Sequence, residues 1–537
     1  MTQEFQYRIA LVGTPDFPDM RYDDSQLSAL RDLGFNTVQL NIAWGARPAD
    51  EPLNLEDILA PTGEEPSKRV QERFEAIAYR ARQAKKYGFR TLFHFGAPRM
   101  DILYRTLADP AELDRQTCLY SVQREEVIQK YEDLLRQLAV KIPEVDDILM
   151  YTFDQEAWVG DEFGNDELAQ GVPLSHRLPP FLQRLSRCWK EQRPGSTLWW
   201  EPWEISAGQI YDMLDQLPRE NFGFMLHCNI AEVQMTNPVD RWFRNMLLLC
   251  RERDIPVIGE IFMTGGNEEV SPLCHVAAPA VVYHELKEMQ RVGVCGVKEY
   301  FGTLPDTDDP NLRMAGVFFN QPDITLEEAL QKVAAPYEGA EAEMLDGFEA
   351  YALSMDVFPW DLSWKMRAIV TQHTAWHGYN RFWFSGEVAP SPSWRSTRRS
   401  VFAMTTDEPE LHLWLIEDIY LRIKHAARYL EKAAVCFEAA AQKCSAGAIP
   451  LIIADAKRFL SVMHDLEYHA GETLAAYDIR KKLECGREIP QQLLDRMDAL
   501  LTADMKNQTE NGDGETAYTK LQEFRRDPAA FARANFL

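Results

Sequence analysis

At 537 residues the chain exceeds what one hydrophobic core ordinarily holds, so a large domain and at least one further domain are expected. Its 83 acidic side chains against 57 basic ones leave a net charge of −26, and such a surface repels phosphate backbones and anionic lipid. Nucleic acid and membrane are thereby excluded as expected partners. The nine cysteines are odd in number, scattered and without a Cys-x-x-Cys, which suits reduced thiols rather than a disulfide framework or a metal site. No stretch approaches ~20 consecutive apolar residues, and "MTQEFQYRIALVG" lacks the basic and apolar parts of a signal region. The reading is a cytoplasmic protein with no expected cofactor or metal. His373 and His377 in "HTAWH" have helical spacing but lack the Glu of a zincin motif.

Along the chain one unit recurs from residue 7 to about 303: a short apolar run, a polar or aromatic cluster, then a helical stretch. The runs are "RIALVGTPDF" (8–17), "FNTVQLNIAWG" (35–45), "FRTLFHFGAPR" (89–99), "DILMYTFDQEAW" (147–158), "STLWWEPWE" (196–204), "FGFMLHCNI" (222–230), "IPVIGEIFMTGG" (255–266) and "VCGVKEYFG" (294–302). Several follow a helix that stops at Gly or Pro, as in "LRDLGFNTV", "AKKYGFRTL", "RERDIPVI" and "MQRVGVCGV", the chemistry expected where a helix turns into a strand. Eight strands alternating with helices imply parallel pairing and predict an α/β fold, a (β/α)8 TIM barrel. An open doubly wound sheet is the alternative, although no Gly-x-Gly-x-x-Gly follows the first run.

Beyond residue 303 the pattern turns helical. "DITLEEALQKVAAPY" opens with capping residues, and "AEAEMLDGFEAYALSMDVFPW" carries a helical apolar stripe. A Pro- and Trp-rich connection (381–399) precedes an almost wholly helical region from about 407 to 504. The expected division is a catalytic barrel over 1–315, a helical extension with an aromatic-rich connection over 316–400, and an all-α C-terminal region over 401–537. The apolar stripes of these helices, with the aromatic segment 373–387, leave a homodimer as a candidate assembly.

In a barrel the active site lies at the carboxyl ends of the strands, so the residues ending each run are the candidates. They are Asn41 and Trp44 on the second, His94 and Arg99 on the third, Asp154, Glu156 and Trp158 on the fourth, and Trp203 and Glu204 on the fifth. The sixth offers His227 and Asn229, the seventh Glu260, and the eighth Lys298, Glu299 and Tyr300. Glu201 also ends the fifth run, as a candidate to bind hydroxyls or hold the lysine. Carboxylates and amides hydrogen-bond hydroxyl groups while indole faces cover the apolar face of a sugar ring, and the Gly-rich loop and basic cluster that a phosphate needs are missing. A carbohydrate is the expected partner.

Cleaving a glycosidic bond needs one carboxylic acid to protonate the leaving oxygen and a second carboxylate to attack the anomeric carbon or activate water. Strands four and seven face each other across a barrel, which makes Glu156 the acid/base and Glu260 the second carboxylate, with Asp154 tuning Glu156 or taking part itself. An apolar strand and Trp158 are expected to raise the pKa of Glu156. The plain alternative for any one of these carboxylates is a salt bridge to a neighbour such as Arg99 or Lys298.

"LGFNTVQLNIAW", the carboxylates ending the fourth and seventh runs, and "GVKEYFG" followed by "FFNQPDITLEEALQKVAAPYEGAEAEMLDGFEAYALSMDVFPW" resemble (β/α)8-barrel glycoside hydrolases with an appended C-terminal helical region, of the α-glucuronidase-like and hexosaminidase-like kinds. The resemblance covers roughly residues 8 to 360 and implies a glycosidase. Retaining members of the large barrel clan carry an acid/base Glu after strand four, usually preceded by Asn, and a nucleophilic Glu after strand seven; here Gln155 precedes Glu156. Chitinase-like and hexosaminidase-like enzymes use an Asp-x-Glu on the fourth strand and the substrate's own acetamido group, which Asp154 and Glu156 would supply. An exo-acting hydrolase of small oligosaccharides or glycosides is the leading reading. The alternatives are a substrate-assisted N-acetylhexosaminidase-type enzyme, a sugar-acid lyase or isomerase with Lys298 as its Schiff-base candidate, and a non-catalytic carbohydrate-binding protein.

Overall fold

A computed structural model describes residues 4–12, 22–41, 51–96, 121–151, 167–202, 205, 207–228, 236–263, 275–300, 308–360, 409–511 and 514–535. Each of the eight apolar runs coincides with a strand, the first beginning one residue earlier: β1 (Tyr7–Leu11), β2 (Thr37–Gln39), β3 (Arg90–Gly96), β4 (Asp147–Tyr151), β5 (Leu198–Glu201), β6 (Phe222–Leu226), β7 (Val257–Ile261) and β8 (Gly296–Glu299). They pair in parallel and in chain order, and β1 joins β8 through Tyr7 opposite Gly296 and Ile9 opposite Lys298. That last pairing closes the barrel and removes the open-sheet alternative.

Between the strands run α1 (Asp24–Asp32), α2 (Lys68–Lys86), α3 (Glu125–Lys141), α4 (Leu174–Gln192), α5 (Ala207–Met213), α6 (Arg241–Arg251) and α7 (Pro279–Val292). Side-chain caps start several of them: Asp23 accepts from the Gln26 amide at α1, Ser67 from Val70 at α2, and Asp240 from Phe243 at α6. The expected glycine stops take the left-handed conformation, with φ of +94° at Gly34 and +77° at Gly88. There the chain reverses out of the helix, as when the Phe35 amide donates to the Leu30 carbonyl at 3.1 Å. After α6 the same turn falls on Asp254 (φ +56°), and Ile255 donates back to Cys250 at 3.0 Å. In "RERDIPVI", then, the left-handed residue is an aspartate, and Pro256 lies just beyond it.

Side chains along a strand alternate between its two faces, so residues two apart share the barrel interior. One layer of that interior is wholly apolar: Ile9, Leu92, Leu149, Trp199, Met225 and Ile258, each from a different strand. Trp199 fits only because residue 223 is glycine; a Cβ there would lie 2.4 Å from the indole. Fully burying such side chains stabilises the barrel by about 1.5–3 kcal/mol apiece, which is what allows the next layer up to be polar.

Two compact units are present. One comprises the described residues up to Met263 together with Val281–Ala329, and so contains the barrel and α8 (Pro310–Asn320), which Asp309 caps. The segment α9 (Leu326–Ala334) spans the passage to the second unit. That unit holds α10 (Glu341–Val357), α11 (Pro409–Ala441), α12 (Ala448–Glu484), α13 (Gln491–Asn511), α14 (Gly514–Arg526) and α15 (Pro528–Asn535). Phe358, Trp360 and Phe459 pack together within it. A buried Lys520 pairs with Glu472 at 2.9 Å and with Asp504. Among the described residues no helix is long and apolar enough to cross a membrane. The aromatic segment 373–387 lies outside the described residues.

Candidate active site

Stepping two residues towards the carboxyl end from each member of the apolar layer gives Leu11, His94, Tyr151, Glu201, His227 and Glu260. Strand alternation therefore places five polar or aromatic groups, all of these but Leu11, in a ring directly above the core. Lys298 joins them, since β7 and β8 pair with Glu260 opposite Lys298. Glu299, the next residue on β8, must face the surrounding helices instead.

Glu260 and Lys298 are both completely buried, and the ammonium donates to Glu260 Oε1 at 2.7 Å. Oε2 of Glu260 has no hydrogen-bond partner among the described residues. Glu201, His227 and Glu260 come from three consecutive strand ends, and one potential ligand atom from each lies within 4.8 Å of the others. The ring of His227 bonds through Nδ1 to the Cys228 carbonyl. A carbonyl only accepts, so Nδ1 carries the proton in that bond.

His94 sits against Tyr151, edge to face, with centroids 5.3 Å apart. Burial first, and then the nearby charge of Lys298, pushes its pKa well below the usual histidine range, so it is a neutral group in the ring. Asn41 fixes it. The amide side chain accepts from the His94 backbone N at 2.9 Å and donates to the His94 carbonyl at 2.7 Å and to Pro52 at 3.0 Å. Tyr300 packs against His227 and Phe262 at ring separations of 5.6 and 5.2 Å. Lys298 lies 5.9 Å from its centroid, a cation–π contact.

Glu299 is fully buried and accepts from the Met263 amide at 2.7 Å, holding the chain where it leaves β7. Behind it, Glu285 of α7 is also buried, and neither of its carboxylate oxygens has a hydrogen-bond partner among the described residues. Burial, aided by the charge of Glu299, raises the Glu285 pKa well above the usual carboxyl range.

Of the residues singled out in the sequence, Glu260, Lys298, His94 and His227 are thus brought to one end of the barrel. Asn41, Glu299 and Tyr300 lie around them, supporting neighbours through the contacts above. Asp154, Glu156, Trp158, Trp44, Arg99, Trp203, Glu204 and Asn229 fall outside the described residues. Glu201 and Tyr151 were the undervalued positions, and the signal for both was available. Each stands two residues beyond an interior apolar residue, Trp199 and Leu149 respectively.

No family model matches the sequence, and no curated protein matches it. Among solved structures, a GH138 enzyme targeting pectin rhamnogalacturonan II superposes with a TM-score of 0.61 at 11% identity, over 96% of this chain. The chain is similar in fold to a glycoside hydrolase. It spans 63% of that enzyme's length. A mutant O-GlcNAc hydrolase of Thermobaculum terrenum matches at a TM-score of 0.42 and 11% identity, over 98% of this chain and 96% of that one. A glucosidase from Croceicoccus marinus matches at 0.36 and 13%, over 59% and 68%.

Proposed function

We propose that the protein is a glycoside hydrolase acting on chain ends or small glycosides, with Glu260 as the second carboxylate of the reaction. The observation that carries this reading is the state of Glu260: a carboxylate completely buried at the carboxyl end of β7, with one oxygen tied to Lys298 and the other without a partner among the described residues. Burying such a charge is costly, and a reaction is a physical reason to bear the cost. Similarity in fold to a GH138 enzyme supports the same class.

In this mechanism Lys298 holds Oε1, leaving Oε2 to attack the anomeric carbon or to take a proton from the attacking water. Glu156, at the end of the fourth run, protonates the departing oxygen. Neutral His94, His227 and Glu201 supply donors and acceptors for sugar hydroxyls.

The test is release of nitrophenol from a panel of nitrophenyl glycosides by the wild type, Glu156→Gln and Glu260→Gln. Each variant should lose about 100-fold or more in kcat. Full activity in either variant rules out the role given to that residue.

A further inference from the structure

Gln39, completely buried on β2, has no part in the reaction just described, yet it touches the polar ring through His94. Its backbone is held by the Tyr22 hydroxyl, which donates to the Gln39 carbonyl at 2.6 Å. Its side-chain nitrogen lies 2.7 Å from the Asn41 carbonyl and 3.3 Å from Nδ1 of His94. A carbonyl only accepts, so the amide turns its nitrogen, and not its oxygen, to both groups. Of the two hydrogens on that nitrogen, one serves Asn41 and the other is directed at His94. Nδ1 of His94 is therefore the acceptor, and a neutral imidazole that accepts at Nδ1 carries its proton on Nε2. A second proton, on Nδ1, would set two N–H groups against each other, so the contact also favours the neutral ring. His94 is wholly inaccessible, and Nε2 has no hydrogen-bond partner among the described residues. A buried N–H without an acceptor is costly, and a ligand that supplies the acceptor is a physical reason for it.

We propose that Gln39 is a positioning residue that locks His94 as the Nε2–H tautomer, and that this N–H donates to a hydroxyl oxygen of the bound sugar. The second half rests on the hydrolase reading given above; the first stands on the Gln39–His94 geometry alone. The neighbours of His94 show why a donor is needed. The Glu260 carboxylate only accepts, and a sugar hydroxyl has a single proton to give. Once that proton is given to a carboxylate, the hydroxyl oxygen can only accept, and an N–H is what satisfies it. An imidazole with its Nε2 lone pair turned to that oxygen would oppose lone pair to lone pair. Asn41 completes the arrangement by bonding the His94 backbone on both its N–H and its carbonyl, so the ring is fixed in place as well as in tautomer.

The experiment labels the intact protein with nitrogen-15 histidine and records long-range proton–nitrogen correlation spectra, which distinguish a protonated ring nitrogen from a bare one. The His94 signal is identified by its loss in His94→Gln. In the wild type Nε2 should be protonated and Nδ1 bare, unchanged between about pH 5 and 8. Gln39→Glu keeps the size of the side chain and reverses the lock. The oxygen that replaces the amide nitrogen gives its proton, when it has one, to the nearer Asn41 carbonyl and accepts from His94 Nδ1–H. At neutral pH the His94 proton should therefore move to Nδ1. KM for the nitrophenyl glycoside that the wild type cleaves fastest should then rise about 10-fold with kcat nearly unchanged. At acid pH a second proton returns to Nε2 in this variant, and its KM should fall back to the wild-type value, a step that a merely structural role for Gln39 does not produce. Circular dichroism and thermal melting confirm that the variant is folded, and the wild-type spectrum decides the tautomer even where the variant is not. The proposal is overturned by a wild-type His94 protonated on Nδ1, by a folded Gln39→Glu in which Nδ1 stays bare, or by a KM that does not follow the Nε2 proton. The two ideas fail separately: a wild type with the Nε2–H tautomer that cleaves no glycoside refutes the hydrolase, and one that cleaves with the proton on Nδ1 refutes the lock.

Discussion

Replacing Lys298 by methionine is the most direct probe of the barrel's interior. The side chains are similar in length, so packing is nearly kept while the charge is removed. At the 2.7 Å separation of Lys298 Nζ and Glu260 Oε1, and with an effective dielectric of about 20, the attraction lost is about 6 kcal/mol. Part of this is offset, because the lysine no longer has to leave water. Removing one partner of a buried pair ordinarily costs about 3–5 kcal/mol, and both side chains here are wholly inaccessible. Lys298→Met should therefore lose about 3–5 kcal/mol, while Lys298→Met combined with Glu260→Gln should regain at least about 2 kcal/mol of it. Urea denaturation followed by tryptophan fluorescence measures the change, and hydrogen exchange at β7 and β8 identifies which transition belongs to the barrel, since two units need not unfold together. A loss below about 1 kcal/mol in the single variant, or strictly additive effects in the cycle, would show that water reaches the pair and that Glu260 is not the buried carboxylate described above.

Three further outcomes are expected. His469 on α12 is half-buried, and desolvation, with Lys520 nearby, lowers its pKa to about 3. An unfolded chain binds that proton near pH 6.5, so the contribution to stability is complete above pH 6.5 and is lost as pH falls towards 3. Between pH 7.5 and 4.5 the wild type should lose about 3 kcal/mol more than His469→Gln in chemical denaturation, and equal slopes would refute the assignment. Glu285, whose folded pKa is raised, has the opposite sign: its contribution is present at acid pH and is lost as pH rises past the ordinary carboxyl range. Glu285→Gln, which cannot ionise, should melt at or above the wild-type temperature at pH 8, and a clearly lower melting temperature would mean the charge is needed. Gly223→Ala places a methyl 2.4 Å from Trp199 and should cost about 1–3 kcal/mol by thermal melting; no change would mean that the indole has room to move.

How far the site was legible follows from the kind of signal each residue carries. Strand ends are visible because an apolar run stops at a charged or aromatic residue, and in this way Glu260, Lys298, His94 and His227 stand out one at a time. Which face a residue occupies is a question of parity, and parity needs a reference point. Once Trp199 is known to lie inside the barrel, Glu201 must also lie inside and Trp200 outside. Asn41 resembled a sugar-binding amide because its residue type is right for hydroxyls, yet in the fold its side chain bonds the backbone of His94 and Pro52. Nothing within the run "VQLNIAW" encodes those partners, which lie 53 and 11 residues away.

What the sequence by itself determined is local and periodic. Apolar runs of strand length, capping residues such as Asp23 and Asp240, and glycines placed for left-handed turns give strands and helices in alternation, and right-handed parallel crossovers then leave few topologies. Tertiary structure alone decided three things: that β1 pairs with β8, that Lys298 bonds Glu260, and that Glu201 and His227 converge on the same carboxylate. The physical reason is the closure of the barrel. Parallel pairing of successive strands sets the ends of β5 to β8 side by side, closure joins β1 to β8, and the burial inside the closed barrel turns ordinary strand-end carboxylates into the costly, coupled groups on which the proposed chemistry rests.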